Sequence, residues 1–349
     1  MTIAGPAYMN GGTEQHTVCL AKFLDPRRVE LTQVLITNPD MIDHEATPPH
    51  CCAVHYCHPD HLETRTQSTD CLISWGIDLD KWLIPNGRRQ VINVAHGASD
   101  WQQRILEESR TTHNHIVCVS KHAADRLHFT TPHTIITNGI DTSRLTETMT
   151  REEARELYGF EDHIHVTGFL GRLAEDKHVD RIIRALPLMP NHVSALIIGT
   201  GHMREELQQL ADTIAPGRVV FDSIDTYLGD AFQCMDSFVM PSEHEGFCLA
   251  AAEAMWSGVP LVMTPVGLAA EDLRNGSTAI LIDGSTQSIA DAVYQLARHP
   301  SAARVMANRA RNIARTQYQA RRMAAEYTAL IEALCEARQP CGCPDEVPY

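Results

Sequence analysis

The stretch from Ser237 to Val262 constrains the fold more tightly than any other part of the chain. Its apolar residues Phe238 to Met240 end at Pro241, which has no backbone N–H to donate and therefore closes a strand. A polar loop leads to strong helix formers from Phe247 to Trp256, and another apolar run follows from 259 to 263. The pattern predicts a strand, a loop, a helix and a second buried strand.

Two carboxylates lie in this unit, Glu245 in the loop and Glu253 among the alanines of the helix. The amides between them belong to Gly246, Phe247, Cys248 and Leu249. First-turn N–H groups and the positive end of the helix dipole favour an anion. Eight helical residues rise about 12 Å, so the two acids could hold opposite ends of one extended ligand around that anion. A nucleotide sugar offers hexose hydroxyls, a diphosphate and ribose hydroxyls in this order, although either carboxylate alone would more often lie on a solvated surface.

Strands alternate with helices through the second half of the chain. Further predicted strands are Val166 to Leu170, Ala195 to Ile198, Val219 to Phe221 and Ile280 to Ile282. This alternation indicates a parallel sheet with helices on both faces, and such sheets bind ligands at the carboxyl ends of their strands. After Ile282 the pattern predicts helix to about Ala337.

The first half shows the same alternation with weaker signals. Its predicted strands are Val34 to Ile36, Leu72 to Ile77, Val91 to Val94 and Val117 to Val119. The opening predicted strand consists of little more than Ile3 and Ala4. Gly11 and Gly12 then lead into a helix for which Thr13 is the predicted N-cap. A two-glycine loop before a helix is a weak phosphate signal, and a plain turn is the commoner explanation.

Charge and cysteine content exclude several classes of partner and compartment. The net charge of −15 argues against nucleic acid as a general partner. The 11 cysteines are odd in number and scattered, and no basic start precedes a long apolar run, so we expect a reducing cytoplasmic setting. The C-terminal helices carry Arg304, Arg309, Arg311, Arg315, Arg321 and Arg322. Such a basic surface leaves weak peripheral membrane contact open, although solvated helix faces produce the same pattern more often.

The pattern P-S-x-x-E-G-F-x-L-x-x-x-E-A-M-x-x-G-x-P-x-V of residues 241–262 resembles the E-x7-E segment of retaining glycosyltransferases of family 4, also called group 1. The resemblance implies the α/β fold known as GT-B, in which two Rossmann-like domains face a cleft and a C-terminal helix crosses back to the N-terminal domain. The segment Ile136 to Asp141 resembles the family's exit from the first domain. We therefore expect an acceptor-side domain at 1–142, a nucleotide-sugar-binding domain at 143–320, a returning helix at 321–337 and a tail at 338–349.

The resemblance also implies roles for individual residues. Arg172 and Lys177 in G-R-L-x-x-x-K would clamp the diphosphate, although His178 stands where the family commonly has Gly. Glu245 would hold the sugar hydroxyls, Glu253 the ribose, and His96 would hydrogen-bond at the reacting centre. The expected catalytic residues are thus His96, Arg172, Lys177 and Glu245. Donor-binding residues would also include Gly12, Gly201, Glu253 and the four amides of residues 246–249.

The implied activity moves a hexose from a nucleoside diphosphate sugar to an unidentified acceptor, without a metal and with retention of configuration. In that mechanism the donor's phosphate oxygen takes the acceptor proton. Two alternatives stay open: an epimerase or hydrolase of UDP-sugars on the same fold, and a non-catalytic binding protein. Dinucleotide-dependent oxidation is disfavoured because no G-x-G-x-x-G opens a helix with an acid beyond it.

Two further motifs suggest metal chemistry. The run His50, Cys51, Cys52, His55, Cys57, His58 and His61 has soft ligands for zinc, but its spacing matches no regular ligand pair and we assign it to a variable loop. Asp78 and Asp80 form a D-x-D in the acceptor half, which we interpret as coincidence. No metal is therefore expected.

Overall fold

The protein is described by a computed structural model that covers residues 1–7, 11–41, 53–85, 89–223 and 228–337. Its first half contains a seven-stranded parallel sheet in the order β3-β2-β1-β4-β5-β6-β7. The strands are β1 (Thr2–Gly5), β2 (Gln33–Ile36), β3 (Ala53–Tyr56), β4 (Cys71–Ser74), β5 (Gln90–Ala95), β6 (His115–Cys118) and β7 (His133–Ile135). All residues of β1, β4 and β6 are buried, because helices cover both faces of the sheet.

Two local predictions for this half are wrong. The residues 53–56 form the edge strand β3, where a loop was expected, because their backbone pairs with β2 although three of their four side chains are exposed. The helices are α1 (Gly12–Phe23), α2 (Leu62–Thr66), α3 (Leu79–Trp82), α4 (Asp100–Glu108) and α5 (Lys121–Arg126). The N-cap of α1 is Gly11 rather than Thr13, and no side chain caps it.

The second half contains a six-stranded parallel sheet in the order β10-β9-β8-β11-β12-β13. Its strands are β8 (His165–Leu170), β9 (Val193–Ile198), β10 (Val219–Asp222), β11 (Ser237–Met240), β12 (Leu261–Met263) and β13 (Ile280–Leu281). The strand order reverses between β8 and β11. Crevices at such reversals, outside the carboxyl ends of the strands, are where doubly wound sheets bind their ligands.

Nine helices are described in this half. They are α6 (Arg151–Leu157), α7 (Val179–Ala185), α8 (Arg204–Ile214), α9 (Leu228–Cys234), α10 (Leu249–Ser257), α11 (Leu268–Glu271), α12 (Thr286–Arg298), α13 (Pro300–Gln317) and α14 (Ala320–Glu336). The amphipathic pattern of the last three accounts for the predicted C-terminal helical region. Among the described residues, none of the helices combines the length and the apolar character that a bilayer span requires.

Helix α14 returns to the first half, as expected. It packs against α1, and Glu332 near its end pairs with Arg28 while the carbonyl of Leu334 accepts from Gln90 Nε2 at 2.8 Å. Where it begins, the Ile140 amide donates to the Tyr318 carbonyl at 2.8 Å, so the two chain crossings between the domains lie side by side.

The carboxyl edges of the two sheets also touch directly. The Ser120 hydroxyl donates to the Gly246 carbonyl, and the His122 amide donates to the Glu271 carboxylate. These contacts bring the end of β6 and the start of α5 against the loop after β11 and against α11. The loops that carry the predicted site residues therefore meet at one place between the two sheets.

Candidate functional site

The loop between β11 and α10 differs from its prediction at one point. The helix begins at Leu249 rather than at Phe247, and Cys248 before it has a left-handed backbone with φ of 76°. The carbonyls of Gly246 and Phe247 accept hydrogen bonds from Ser120 and from the Leu268 amide, and these contacts hold the loop in a non-helical conformation before Leu249. Contacts from distant parts of the chain thus delay the helix by two residues.

This loop leaves a row of donors without acceptors. In the part of the chain that the structure describes, no oxygen accepts a hydrogen bond from the amides of Gly246, Phe247, Cys248 or Leu249. The start of α1 faces them, since a Cβ atom added to Gly12 would lie 4.0 Å from Leu249 Cβ. Unpaired amides at a helix start are a ready site for an anion. The predicted anion cradle therefore has unpaired donors, although it is a loop followed by a helical turn rather than a helical turn alone.

Glu245 lies next to Lys177, which is far from it in the sequence. Lys177 Nζ is 2.8 Å from Glu245 Oε1 and 3.4 Å from Asp176 Oδ2, and both side chains of the closer pair are largely buried. Burial alone would lower the pKa of Lys177, but the carboxylates of Glu245 and Asp176 outweigh it and the pKa is raised. Lys177 is thus a permanent cation at the carboxyl edge of the second sheet.

Arg172 and Gly201 follow β8 and β9 at the same edge. The Arg172 side chain is 66% exposed, and among the described residues it forms an ion pair within 4.0 Å only with Asp176, at 3.4 Å. Gly201 has φ of 153°, and a Cβ atom there would lie 2.2 Å from the Leu173 carbonyl oxygen. Only glycine permits this close packing of the two loops. Arg172 remains free to turn toward a ligand because so little holds it.

Glu253 lies in a different environment from Glu245. Its side chain is 4% exposed, and its Oε1 is 3.3 Å from Arg144 Nη1. Burial raises the pKa of Glu253, and the positive charge of Arg144 only partly opposes that effect. Arg144 was missed in the sequence, where the one available signal was a cation directly after the interdomain segment.

His96 ends β5 inside a cluster of rings. Its ring centroid is 4.9 Å from that of His16 and 5.9 Å from that of Trp75, and the His16 Nε2 is 3.0 Å from the Tyr327 hydroxyl. Burial, and then the neighbouring His16, hold the pKa of His96 well below its ordinary value, while burial lowers the pKa of His16 to about 3. Both rings are therefore neutral at physiological pH. His16 and Tyr327 belong to no recognisable motif, so the sequence did not predict them as site residues.

The ring of His96 also has an unused polar atom. Its Nε2 is buried and has no hydrogen-bond partner among the described residues. The backbone of His96 touches the loop after β11, since a Cβ atom on Gly246 would lie 1.8 Å from the His96 carbonyl oxygen. The structure therefore brings His96, Lys177, Glu245 and the four amides into one region, with Arg172 at its rim and Glu253 behind it.

The two metal motifs have other surroundings. His50, Cys51 and Cys52 lie outside the described residues, and within those residues no group of three or more His, Cys, Asp or Glu side chains is arranged to hold a metal ion. Asp78 caps α3 by accepting from the Lys81 amide, and Asp80 accepts from the Thr111 amide at 3.1 Å. A helix cap accounts for Asp78, and a hydrogen bond from the segment after α4 accounts for Asp80.

The second half of the chain is similar in sequence to a known family of enzymes. Residues 164–299 match the family model described as glycosyl transferases group 1. The lipopolysaccharide core biosynthesis mannosyltransferase LpsB of Rhizobium meliloti (strain 1021) is 32% identical over 221 residues, which cover 57% of this chain and 62% of that protein. A GDP-mannose-dependent alpha-(1-6)-phosphatidylinositol monomannoside mannosyltransferase of Mycolicibacterium smegmatis is 33% identical over 58% of this chain and 56% of its own length. The chain thus matches less than two thirds of either relative.

Comparison with solved structures covers nearly the whole chain. Anabaena Alr3699/HepE in complex with UDP-glucose superimposes with a TM-score of 0.82 at 18% identity, over 95% of this chain and 100% of that one. WaaG, a glycosyltransferase involved in lipopolysaccharide biosynthesis, gives a TM-score of 0.75 at 15% identity, over 95% and 99% of the two chains. This likeness confirms the predicted GT-B fold with its two Rossmann-like halves.

Proposed function

We propose that this chain, whose residues 164–299 match the group 1 glycosyl transferase model and whose fold is GT-B, transfers a hexose from a nucleoside diphosphate sugar to an acceptor hydroxyl. The observation that carries the proposal is the row of four unpaired amides at residues 246–249 beside the Lys177–Glu245 pair. A cation and directed N–H groups at one place suit a diphosphate. Relatives named for GDP-mannose and a neighbour solved with UDP-glucose support this class of donor.

In the proposed reaction, the bond between the anomeric carbon and the phosphate oxygen breaks, and its electron pair leaves with the nucleoside diphosphate. Lys177, Arg172 and the loop amides stabilise the negative charge that develops there, as a metal would in other designs. Glu245 orients the sugar hydroxyls and lies near the positive charge that develops at the anomeric carbon. The acceptor hydroxyl attacks on the face that the leaving group vacates, and its proton passes to the leaving phosphate oxygen. This route retains the configuration of the sugar.

The two ends of the donor complete the assignment. We assign the ribose to Glu253 and the neighbouring Arg144. The carboxylate and the guanidinium of this pair can accept from and donate to the ribose hydroxyls. We assign the transferred sugar to His96, whose buried Nε2 lacks a partner among the described residues. Gly12 lies at the start of α1, where its lack of a side chain leaves room for the donor.

Cytoplasmic location and weak peripheral membrane contact stay predictions of the sequence. Several of the C-terminal arginines on which membrane contact depends are engaged within the protein. Arg311 donates to the Ser257 carbonyl, Arg315 lies 5.8 Å from the Trp256 ring centre, and Arg322 donates to the Thr137 carbonyl at 2.6 Å. These contacts reduce the number of guanidinium groups that are free to contact anionic lipid.

Calorimetry with UDP, GDP and ADP tests the donor site, because the side chain of Arg172 makes few contacts and its removal should leave the fold intact. We expect one of the three nucleotides to bind and Arg172→Ala to weaken that binding by about tenfold or more, as charge-assisted contacts to phosphate do. Arg298→Ala is the matched control, since Arg298 is an exposed arginine near Tyr294. Equal affinity of the Arg172 variant and the wild type would contradict the proposal.

Chemical products separate the proposed activity from its alternatives. Incubation of the purified protein with labelled UDP-glucose or GDP-mannose should give slow hydrolysis at most when no acceptor is present, and labelled glycoside when an acceptor is supplied. Rapid conversion of the donor to its epimer without acceptor would instead identify an epimerase. Binding without any turnover would identify a non-catalytic protein.

A further inference from the structure

A second cleft opens at the carboxyl edge of the second sheet, on the other side of the strand-order reversal from Gly201. Its volume is about 420 Å³, within the range of small-molecule sites. It lies where β11, β12 and β13 end, and its polar lining consists of His178, Arg181, Ser242, Glu243, Thr264 and Asp283. His178 directly follows Lys177, and Glu243 stands two residues before Glu245. The cleft therefore adjoins the proposed donor site and shares both of its loops.

His178 has a strained backbone at this place. Its φ is 50° and its ψ is 40°, which is the left-handed region that glycine occupies freely and other residues occupy at a cost of roughly 1–2 kcal/mol. The resemblance to the family leads one to expect glycine here. From this conformation the side chain of His178 lines the cleft.

One nitrogen of the His178 ring lacks a complete hydrogen bond. Its Nε2 is buried, and no described residue completes a hydrogen bond to it. The nearest carboxylate oxygen, Glu243 Oε2, is 3.4 Å away. Buried polar atoms are nearly always paired, so an unpaired one that lines a cleft indicates a missing ligand atom. A ligand hydroxyl beside this pair could accept from the His178 ring N–H and donate to the Glu243 carboxylate.

The other polar groups of the cleft favour a neutral ligand with several hydroxyls. One guanidinium faces two carboxylates, and Arg181 is already tied to the Gly284 carbonyl at 3.0 Å, so the cleft has no excess of cations for a second phosphate. Hydrogen bonds from Ser288 and Ser285 lower the pKa of Asp283 to about 2, so this carboxylate is an acceptor at any physiological pH. The Thr264 hydroxyl donates to the Ser242 carbonyl at 2.6 Å.

The rest of the lining is apolar, from Pro241, Pro265, Val266 and Ile282. A pyranose ring presents C–H groups on one face and hydroxyls around its edge, and it matches a cleft that combines an apolar wall with ionised acceptors. We propose that this cleft binds a hexopyranosyl unit of the acceptor, separately from the sugar that is transferred. This inference rests on the proposed function, and it extends the acceptor's contacts from the acceptor-side domain expected at 1–142 to the loops of the second sheet that adjoin the donor site.

Saturation-transfer NMR on the full chain tests the proposal with methyl α-mannopyranoside and methyl α-glucopyranoside as probes. The spectra are recorded with the donor site empty and with it saturated by whichever nucleoside diphosphate binds. We expect transfer to at least one glycoside in both states. Glu243→Gln and His178→Gly should each reduce it at least fivefold, because each removes one side of the unfilled hydrogen-bonding position.

The two variants are chosen to keep the fold. Glycine relieves the left-handed strain at position 178, and the Glu243 side chain is 64% exposed, so neither change should lower the melting temperature. Glu152→Gln, an exposed glutamate on α6, is the control and should leave the transfer unchanged. Nucleotide affinity is measured for each variant in parallel to show that the donor site is intact.

Three results would overturn the inference. They are loss of the glycoside signal when nucleotide is added, an unchanged signal in both variants, and no glycoside signal from a wild-type protein that binds nucleotide. Failure of the proposed function looks different. If no nucleoside diphosphate binds while the glycoside signal still depends on His178 and Glu243, the cleft is a sugar site but its assignment to an acceptor is overturned.

Discussion

Glu245 and Glu253 belong to one motif eight residues apart, yet the structure gives them opposite surroundings. Glu245 lies at the rim of the anion cradle, 2.8 Å from a lysine whose pKa its charge raises. Glu253 is buried behind it, 3.3 Å from the half-buried Arg144, and burial raises the pKa of Glu253 itself. The first carboxylate is therefore arranged to act as a charge at the proposed reacting end. The second is arranged as a hydrogen-bonding group whose charge is costly.

The largest effect expected from this difference is on turnover in Glu245→Gln. Glutamine keeps the size of the side chain and removes the charge that lies near the positive centre of the transition state. We expect the rate of transfer to fall by roughly 100-fold or more, as when other preorganised electrostatic groups are removed. Nucleotide affinity should change little, because Lys177 and the loop amides remain. The measurement is kcat with a labelled donor beside calorimetry with the nucleotide.

Glu271→Gln is not a suitable control for this experiment, because Glu271 accepts from the first-half His122 amide. Glu152→Gln serves instead, since Glu152 is exposed on α6. If Glu245→Gln lost nucleotide affinity and kept its rate, the roles of the two carboxylates would have to be exchanged.

The sequence could predict the local structure around the two carboxylates. The apolar run before Pro241 and the alanine-rich residues before Gly258 predicted β11 and α10, because neighbouring residues alone determine where such elements can form. The start of α10 was missed by two residues, because Ser120 and Leu268 engage the carbonyls before it. No local pattern can report a contact between residues so far apart in sequence.

The side chains that surround the site could not be predicted from the sequence either. Arg144 lies 109 residues before Glu253, and His16 meets Tyr327 across 311 residues, so neither pair could be read from spacing. The weakly patterned β3 was missed for a related reason: its pairing with β2 makes it a strand, while its side chains are mostly exposed. The strongly apolar strands of the second sheet, which are buried on both faces, were found without such help.

A smaller effect is expected at the buried member of the pair. Glu253→Ala should weaken nucleoside diphosphate binding by about tenfold, because it removes a hydrogen-bonding partner of the ribose and leaves Arg144 without its carboxylate. Calorimetry with UDP and GDP measures this loss, and Glu152→Ala is the control. An unchanged affinity would show that Glu253 is a structural group only.

The raised pKa of Glu253 gives a second, independent test through Glu253→Gln. In the pH range above the ordinary value of 4.5, the folded protein binds this proton more tightly than the unfolded chain does. The contribution of Glu253 to stability is therefore greatest at low pH and falls as pH rises through the raised pKa. Glutamine cannot ionise. The melting temperature of Glu253→Gln should therefore rise relative to that of the wild type as the pH increases above 4.5. A constant difference would mean that Glu253 ionises as easily in the folded as in the unfolded protein.

The smallest effect concerns what holds the Glu245 end in place. Tyr318 is fully buried, its ring meets that of Phe247 edge to face at 5.0 Å, and its hydroxyl donates to Asp272. Tyr318→Phe keeps the ring contact and leaves a carboxylate oxygen without its donor, so we expect a loss of about 1–3 kcal/mol in the free energy of unfolding and unchanged nucleotide affinity. Tyr294→Phe, on the exposed surface of α12, is the matched control and should change neither. Chemical denaturation and calorimetry measure the two quantities. If affinity fell in step with stability, the hydroxyl of Tyr318 rather than its ring would position the loop that carries Glu245, and the difference between the two carboxylates would depend on the domain crossing as well as on their immediate neighbours.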